Sequence, residues 1–433
     1  MEIKRDRYLR QLVAKKWNGR IKTITGIRRC GKSYLLNRLF VNHLLEDGAD
    51  PADIVLLALD EVHNIKYRNP LELDAFIRQQ TSDSSRRYYL LIDEIQKAEI
   101  IKNPYLPPES ADTISFVDVL LAYMKKPNID IYVTGSNSKM LSKDILTEFR
   151  DRGDEIHVSP LTFDEFLAAY RGDKAHAWED FWFYGGMPYI MHLDTHEEKS
   201  QYLENLFQLT YIRDVIERNQ IKADSEVLNT LLDVTASAVG SLTNPSRLAN
   251  TFESLQQLKI KSETIARYLD YFIDAFILRQ AFRYDVKGKS YISTPLKYYY
   301  TDVGLRNSKL NFRQQEENHI MENILYNELT ARGFSVDVGV VSYTQKDKDG
   351  KTKQSQLEID FVINKGYQRY YLQSALNIDD PEKRLQEINS LRRINDSFQK
   401  FVIVKADIDP WKDEHGILYL GIRQFLLDYI DTL

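Results

Sequence analysis

Two short stretches carry residue types whose spacing suits phosphate chemistry. The first is Gly26-Ile27-Arg28-Arg29-Cys30-Gly31-Lys32-Ser33, a glycine, four residues, then Gly-Lys-Ser. Glycines in such a loop let backbone N–H groups turn inward around phosphate oxygens. A lysine at this place reaches β- and γ-phosphates, and the serine after it offers a hydroxyl to Mg2+. With Tyr34 as its last member, the run 26–34 is the candidate nucleotide-binding segment. The second stretch is Asp93-Glu94, where an apolar run from Tyr88 to Ile92 stops at two acids. Asp93 is expected to hold Mg2+, directly or through water, and Glu94 to polarise an attacking water. A third stretch, 130–138, ends in small polar residues, and Ser136 or Asn137 is expected to sense a γ-phosphate by hydrogen bonding.

A glycine loop of this form also occurs as a tight turn with an accidental lysine, so the flanking elements decide. Residues 21–25, IKTIT, are β-rich and alternate. Residues 32–46 carry Leu35, Leu36, Leu39, Phe40, Val41, Leu44 and Leu45 at helical spacing. Strand, glycine loop, helix is the arrangement a phosphate cradle needs, because the helix N-terminus adds its partial positive charge. The run before Asp93 reads as a buried parallel strand with its acids at the C-terminal edge. Strands at 53–61 and 130–138, a helix at 115–126 and a closing strand at 155–161 complete an alternating pattern. That pattern predicts an open α/β fold with a largely parallel sheet. The proline-rich segment 101–110 is expected to be a loop that covers the site or a partner.

Composition bounds the rest. The chain has 433 residues, 28% charged and 43% hydrophobic, enough for two to four domains with their own cores. The net charge of −5 excludes a globally basic nucleic-acid binder but leaves room for a local basic patch. Cys30 is the single cysteine, so no internal disulfide can form, and a reduced, cytoplasmic setting is expected. The charged start MEIKRDRYLRQLV lacks a signal-peptide core, and no apolar run of about 18 residues predicts a membrane span. One cysteine and eight scattered histidines offer no zinc-ligand spacing. His157 and His319 read as ordinary structural residues.

Taken in order, GIRRCGKSYLL, LLIDEIQ, VTGSNSKML, EFRDRG, VSPLTFDEFL, FYGGMPYI and YIRDVIER resemble the prokaryotic AAA-type ATPases. The resemblance extends C-terminally over nearly the whole chain. It implies a P-loop ATPase core at 1–165, a helical lid at 166–225, a winged helix at 226–308 and a restriction-endonuclease-like α/β domain at 309–433. It also implies ATP, rather than GTP, as the nucleotide. In such proteins arginines from the lid region act on the γ-phosphate, often from a neighbouring subunit of a homo-oligomer, and can raise rates by about 10³–10⁵. The matching residues are Arg150 and, as the catalytic candidate, Arg152. Asp151 stands where the family often has glycine. Arg213 is a further candidate, set against a plain i,i+4 ion pair with Glu217.

Residues 241–291 read as two helices and a hairpin. The first helix starts at Asn244-Pro245. The second places Ile265, Leu269, Phe272, Ile273, Phe276 and Ile277 on one face and Thr264, Arg267, Tyr268 and Tyr271 on the other. The hairpin turns at Lys287-Gly288-Lys289. This segment holds eight Lys/Arg and five Asp/Glu, a net of +3 in an acidic chain. Two readings stay open: duplex DNA held by Lys261, Arg267, Lys287 and Lys289, or a protein client met by Tyr268 and Tyr271.

Further on, Glu322 in a helix and Asp360 after a charged hairpin match the first two metal-holding acids of the restriction-endonuclease-like fold. The third motif, an acid-x-lysine pair, falls on Gln373-Ser374-Ala375. Without acid or lysine there, the domain is expected to bind or assemble rather than to cut.

Overall fold

The computed structural model describes residues 2–136, 153–221, 225–256, 259–313, 316–346 and 352–433. It divides into two compact units, Met1–Pro160 with Asp274–Phe276, and Leu161–Ile273 with Ile277–Leu433.

In the first unit a five-stranded sheet is parallel throughout. Its strands are β1 (Ile21–Thr25), β2 (Ile54–Ala58), β3 (Tyr88–Asp93), β6 (Ile129–Thr134) and β7 (Gly153–His157), in the order β2-β3-β6-β1-β7. A two-stranded ribbon, β4 (Ile101–Lys102) with β5 (Thr113–Ile114), brackets the proline-rich segment read as a bare loop. Helices α1 (Asp6–Ala14), α2, α3 (Pro70–Gln80) and α4 (Phe116–Met124) belong to the same unit. Helix α2 is made of Lys32–Tyr34, a π-wound turn Leu35–Phe40, and Val41–Glu46. Ser115 and Asp118 form a reciprocal cap at the start of α4.

The strand order explains the burial. Interior strands β1 and β6 are buried at every residue, whereas the edge strands β2 and β7 are only partly covered. The alternation of IKTIT is therefore not a half-exposed strand. Lys22 is buried because Asp130 of β6 takes its ammonium and the Tyr132 ring lies 4.9 Å from it. Burial lowers the Lys22 pKa, and Asp130 opposes that shift. Since all strands run the same way, the ends of β1, β3 and β6 lie on one edge of the sheet. A crevice outside the C-terminal ends is where open α/β sheets take ligands.

The second unit starts with helices α5 (Phe163–Ala169), α6 (Ala177–Tyr184), α7 (His196–Asn205) and α8 (Ile212–Asn219). Then come α9 (Ser225–Ser237), α10 (Pro245–Gln256) and α11 (Ser262–Asp274), followed by the hairpin β8 (Leu278–Asp285) and β9 (Ser290–Tyr300). After α12 (Val303–Lys309) and α13 (Glu317–Ala331) the strands β10 (Ser335–Lys346), β11 (Thr352–Lys365), β12 (Gln368–Ala375), β13 (Gln399–Val404), β14 (Trp411–Lys412) and β15 (Leu418–Gly421) follow. All eight form one mixed sheet in the order β14-β15-β13-β12-β11-β10-β8-β9. The hairpin is thus not a free-standing wing. Strand β8 runs parallel to β10, which joins it to the C-terminal strands. Periodicity marks a strand but not its neighbour, so the sequence could not place this join.

Two details of α11 differ from the sequence reading. Tyr268 is buried at 6% exposure, so it does not belong to an open face. The helix stops at Asp274, and Phe276 takes a left-handed φ of +57° that turns the chain into β8.

The FYGG turn, residues 183–186, packs on the start of α12. Asp302 accepts from the N–H groups of Gly186 at 2.6 Å and Leu305 at 3.1 Å. A Cβ on Gly185 would lie 2.2 Å from Asp302 Oδ1, and one on Gly304 would lie 1.8 Å from the Tyr184 carbonyl oxygen. Burial pushes the Asp302 carboxyl up to about 6, against the pull of those backbone donors. A carboxyl whose folded pKa lies above its unfolded one stabilises the fold fully below the unfolded value and loses that contribution as pH rises through the folded value. Asp302→Asn has no such titration. Its stability relative to wild type should therefore rise by about 2–3 kcal/mol between pH 4 and pH 7, read from denaturant unfolding at both pH values.

Candidate nucleotide site

The loop between β1 and α2 is wound by two glycines and one strained residue. Gly26 has φ +141° and Gly31 φ +101°, while Arg29 holds φ +72° without being glycine. A Cβ on Gly26 would meet the Val158 carbonyl oxygen at 2.2 Å. The same oxygen accepts from Cys30 Sγ at 3.2 Å. Cys30 is thus a buried packing residue under the loop. Arg5, also buried, donates to the carbonyls of Cys30 at 3.2 Å and Ser159 at 2.5 Å, and Ile3 N–H donates to Tyr34 Oη at 3.2 Å. An N-terminal arm therefore holds the loop from below.

Lys32 is buried, and its ammonium donates to the carbonyls of Gly26 at 3.0 Å and Ile27 at 3.1 Å. The positive charge is thus stored inside the loop. Side by side with it, Ser33 Oγ donates to Asp93 Oδ1 at 3.1 Å. Thr134 Oγ1 donates to the same oxygen, and Asn37 Nδ2 donates to Asp93 Oδ2 at 3.0 Å. Glu94, the next residue, has φ +55°, and its N–H donates to Thr134 Oγ1 at 3.0 Å. Gln96 Nε2 donates to Glu94 Oε2 and lies 3.3 Å from Ser136 Oγ.

The loop 26–33, Asp93, Glu94 and Ser136 therefore come together at the ends of β1, β3 and β6. Arg28 lies within that loop. Asn137, Arg150, Asp151 and Arg152 fall outside the described residues. Arg213 is exposed and donates to Glu217 at 2.6 Å, the surface ion pair. Sequence reasoning missed Asn37, Thr134, Gln96 and Arg5. Asn37 was within reach, since four residues after Ser33 it shares that helix face. Thr134 follows from the register, in which Ile92 pairs Val133, so that Asp93 is level with Thr134. Arg5 gave no signal, being brought in by the tertiary fold alone.

The donor set fits Mg2+. This ion takes one or two protein oxygens and completes its shell with phosphate and water. Ser33 and Asp93 supply a hydroxyl and a carboxylate already 3.1 Å apart.

Residues 18–167 match the AAA domain family. A Haemophilus influenzae protein described as uncharacterized is 31% identical over 406 residues, covering 93% of each chain. This chain belongs to the AAA-domain proteins. An uncharacterized protein of Methanocaldococcus jannaschii is 27% identical over 365 residues, 79% of this chain and 72% of its own. Residues 175–316 match a domain of unknown function, DUF8612, which follows the AAA domain. Among solved structures, the Walker-type ATPase of Pyrococcus abyssi overlays on 71% of this chain and 96% of its own, with a TM-score of 0.49 and 14% identity. An AAA domain implies nucleotide binding. Among the described residues no helix is long and apolar enough to cross a membrane.

The AAA-domain chain holds a second cluster of acids, in its second unit. Glu322 Oε1 accepts from Lys297 Nζ at 2.7 Å and from Tyr299 Oη at 2.5 Å. Lys297 also meets Glu358 Oε1 at 2.7 Å. Asp360 Oδ2 accepts from Gln373 Nε2 at 3.0 Å and Ser374 N–H at 2.7 Å. Lys297 reaches these acids from β9, 25 positions before Glu322, where a linear motif cannot show it. Burial would lower the Lys297 ammonium, but Glu322, Asp360 and Glu358 outweigh it and raise the pKa. Burial, and then the charge of Glu322, push the Asp360 carboxyl well up. At 3% exposure, Lys297 is spent on its glutamates.

Two outcomes are expected. Gly26→Ala should raise the dissociation constant for ATP at least tenfold by isothermal titration, because the methyl group forces the loop off Val158 (about 1.4 kcal/mol per tenfold). Lys297→Met leaves buried carboxylates uncompensated and should cost about 3–5 kcal/mol in chemical denaturation. Adding Glu322→Gln should recover part of that loss.

Proposed function

We propose that the chain hydrolyses ATP at the loop 26–33 and the acids 93–94, and that duplex DNA is the client of its second unit. The observation that carries the ATPase reading is the Ser33–Asp93 contact inside a strand–glycine loop–helix frame, with Glu94 as the next residue. Lys32 exchanges its loop carbonyls for β- and γ-phosphate oxygens, and the loop N–H groups hold the remaining phosphate charge. Ser33 and Asp93 would hold Mg2+, which would supply charge neutralisation at the phosphates. Glu94 polarises the attacking water and takes its proton. Asn137 or Ser136 senses the γ-phosphate, and Arg152 supplies transition-state charge, in cis or from a second copy in a homo-oligomer.

The DNA reading rests on residues 226–308. Helix α9, a bridge between Thr243 and Leu296, helices α10 and α11 and then the β8–β9 hairpin follow the order of a winged helix. Lys261, Arg267, Lys287 and Lys289 are all exposed. Asp285 caps the tip by accepting from the N–H groups of Lys287 at 3.0 Å and Gly288 at 2.9 Å. A protein client is the alternative, but burial of Tyr268 leaves Tyr271 as the aromatic offered by that face. For 309–433 we favour a nuclease-like domain that does not cut. Lys297 is engaged by two glutamates, and Gln373 donates to Asp360 where an active site would carry an acid.

Steady-state ATP hydrolysis with and without duplex DNA at low salt tests both parts. Glu94→Gln should lower turnover by about 10²–10⁴ while keeping nucleotide affinity. DNA should stimulate wild type, and Lys287→Glu/Lys289→Glu should remove the stimulation and weaken DNA binding, with a shallower salt dependence. Turnover that Glu94→Gln leaves intact would overturn the ATPase reading. Stimulation by a protein but not by DNA would replace the client.

A further inference from the structure

Glu94 is held in a conformation that costs energy. A left-handed φ at a residue other than glycine persists only where its surroundings over-determine it. Three contacts do so. Its N–H donates to Thr134 Oγ1 at 3.0 Å, its carbonyl accepts from Lys97 N–H at 2.9 Å, and its carboxylate accepts from Gln96 Nε2. The first two fix the backbone. The third fixes the carboxylate, which would otherwise turn freely about its side-chain torsions.

Gln96 sits in the single turn Ile95–Lys97 that follows β3, so its side chain leaves the same short arch as Glu94. Its Nε2 also lies 3.3 Å from Ser136 Oγ, at the end of β6. One amide group therefore bridges the carboxylate that polarises water and the strand end that meets the γ-phosphate. Its other atom, Oε1, is buried and has no hydrogen-bond partner among the described residues. A buried carbonyl without a donor is unfavourable, and a water held beside Glu94 would supply one.

We infer that Gln96 positions Glu94 for water activation and ties its orientation to Ser136. The inference rests on the ATPase reading above. A catalytic base works only when held within a fraction of an ångström of its productive place, and a second residue must lock it there. Gln96 provides that lock without touching substrate: its donor amide suits an ionised carboxylate, and its length spans from β3 to β6. Asparagine is one methylene shorter and would not span both.

Single-turnover hydrolysis, with the protein in excess over Mg·ATP, separates this from a merely structural role. Gln96→Ala and Gln96→Asn should both slow the chemical step by about 10–100-fold, a part of the full general-base effect. ATP affinity should stay within about twofold of wild type. In a Glu94→Gln background, Gln96→Ala should cause no further loss, since it acts through Glu94 alone. An unchanged rate in Gln96→Ala would overturn the inference. So would a parallel loss of ATP affinity, or a double variant slower than Glu94→Gln by the full factor. Wild type active, Glu94→Gln inactive and Gln96→Ala unchanged would discard Gln96 and keep the ATPase. Wild type that binds ATP without turning it over would overturn both.

Discussion

The first unit depends on one buried carboxylate. Asp93 ends the apolar strand β3, and there an ionised group out of water must have all its acceptor positions met. The donors come from two other elements: Ser33 and Asn37 on α2, and Thr134 at the end of β6. Satisfying Asp93 therefore fixes where α2 starts relative to β3 and β6. The glycine loop must then close over the gap between β1 and α2, which Gly26 and Gly31 allow by their positive φ values. The same demand for a donor that holds the fold together places a hydroxyl beside a carboxylate where a magnesium ion would want both.

Charge inside this chain is handled in the same way elsewhere. Lys22 is tolerated in an interior strand because Asp130 and the Tyr132 ring meet its ammonium. Lys297 is tolerated because Glu322 and Glu358 meet it. In the nucleotide loop, by contrast, the partners of Lys32 among the described residues are backbone carbonyls, neutral groups that an anion can replace. On the proposed function, the difference separates a structural lysine from one kept available for ligand. A carboxylate partner is a stronger competitor for an ammonium than a carbonyl is.

Much of the first unit was legible in the residues. The strand–loop–helix frame, the two acids at the end of an apolar strand and the parallel α/β pattern all came from local spacing. Each depends on a period or a backbone requirement that a few consecutive residues express. The C-terminal strands and the basic hairpin were legible as elements for the same reason. Their assembly was not. The pairing of β8 with β10, which makes one sheet of a hairpin and a following domain, depends on neighbours 55 residues apart (Arg283 with Val338). The face of α11 was misjudged at Tyr268, because helical period tells which residues align and not how wide the covering surface is.

By itself, then, the sequence determined the kind of chemistry: a glycine loop with lysine and serine, an acid pair after a buried strand, and a single cysteine with no zinc-ligand pattern. Residue types and short spacings are local facts, and these motifs are local. The tertiary structure alone decided who stands behind them. It brought Arg5 under the loop, Asn37 and Thr134 onto Asp93, Gln96 between Glu94 and Ser136, and Lys297 among the acids of the second unit. These partners are chosen by strand order and helix packing, which join residues far apart in the chain, and no linear pattern records that choice.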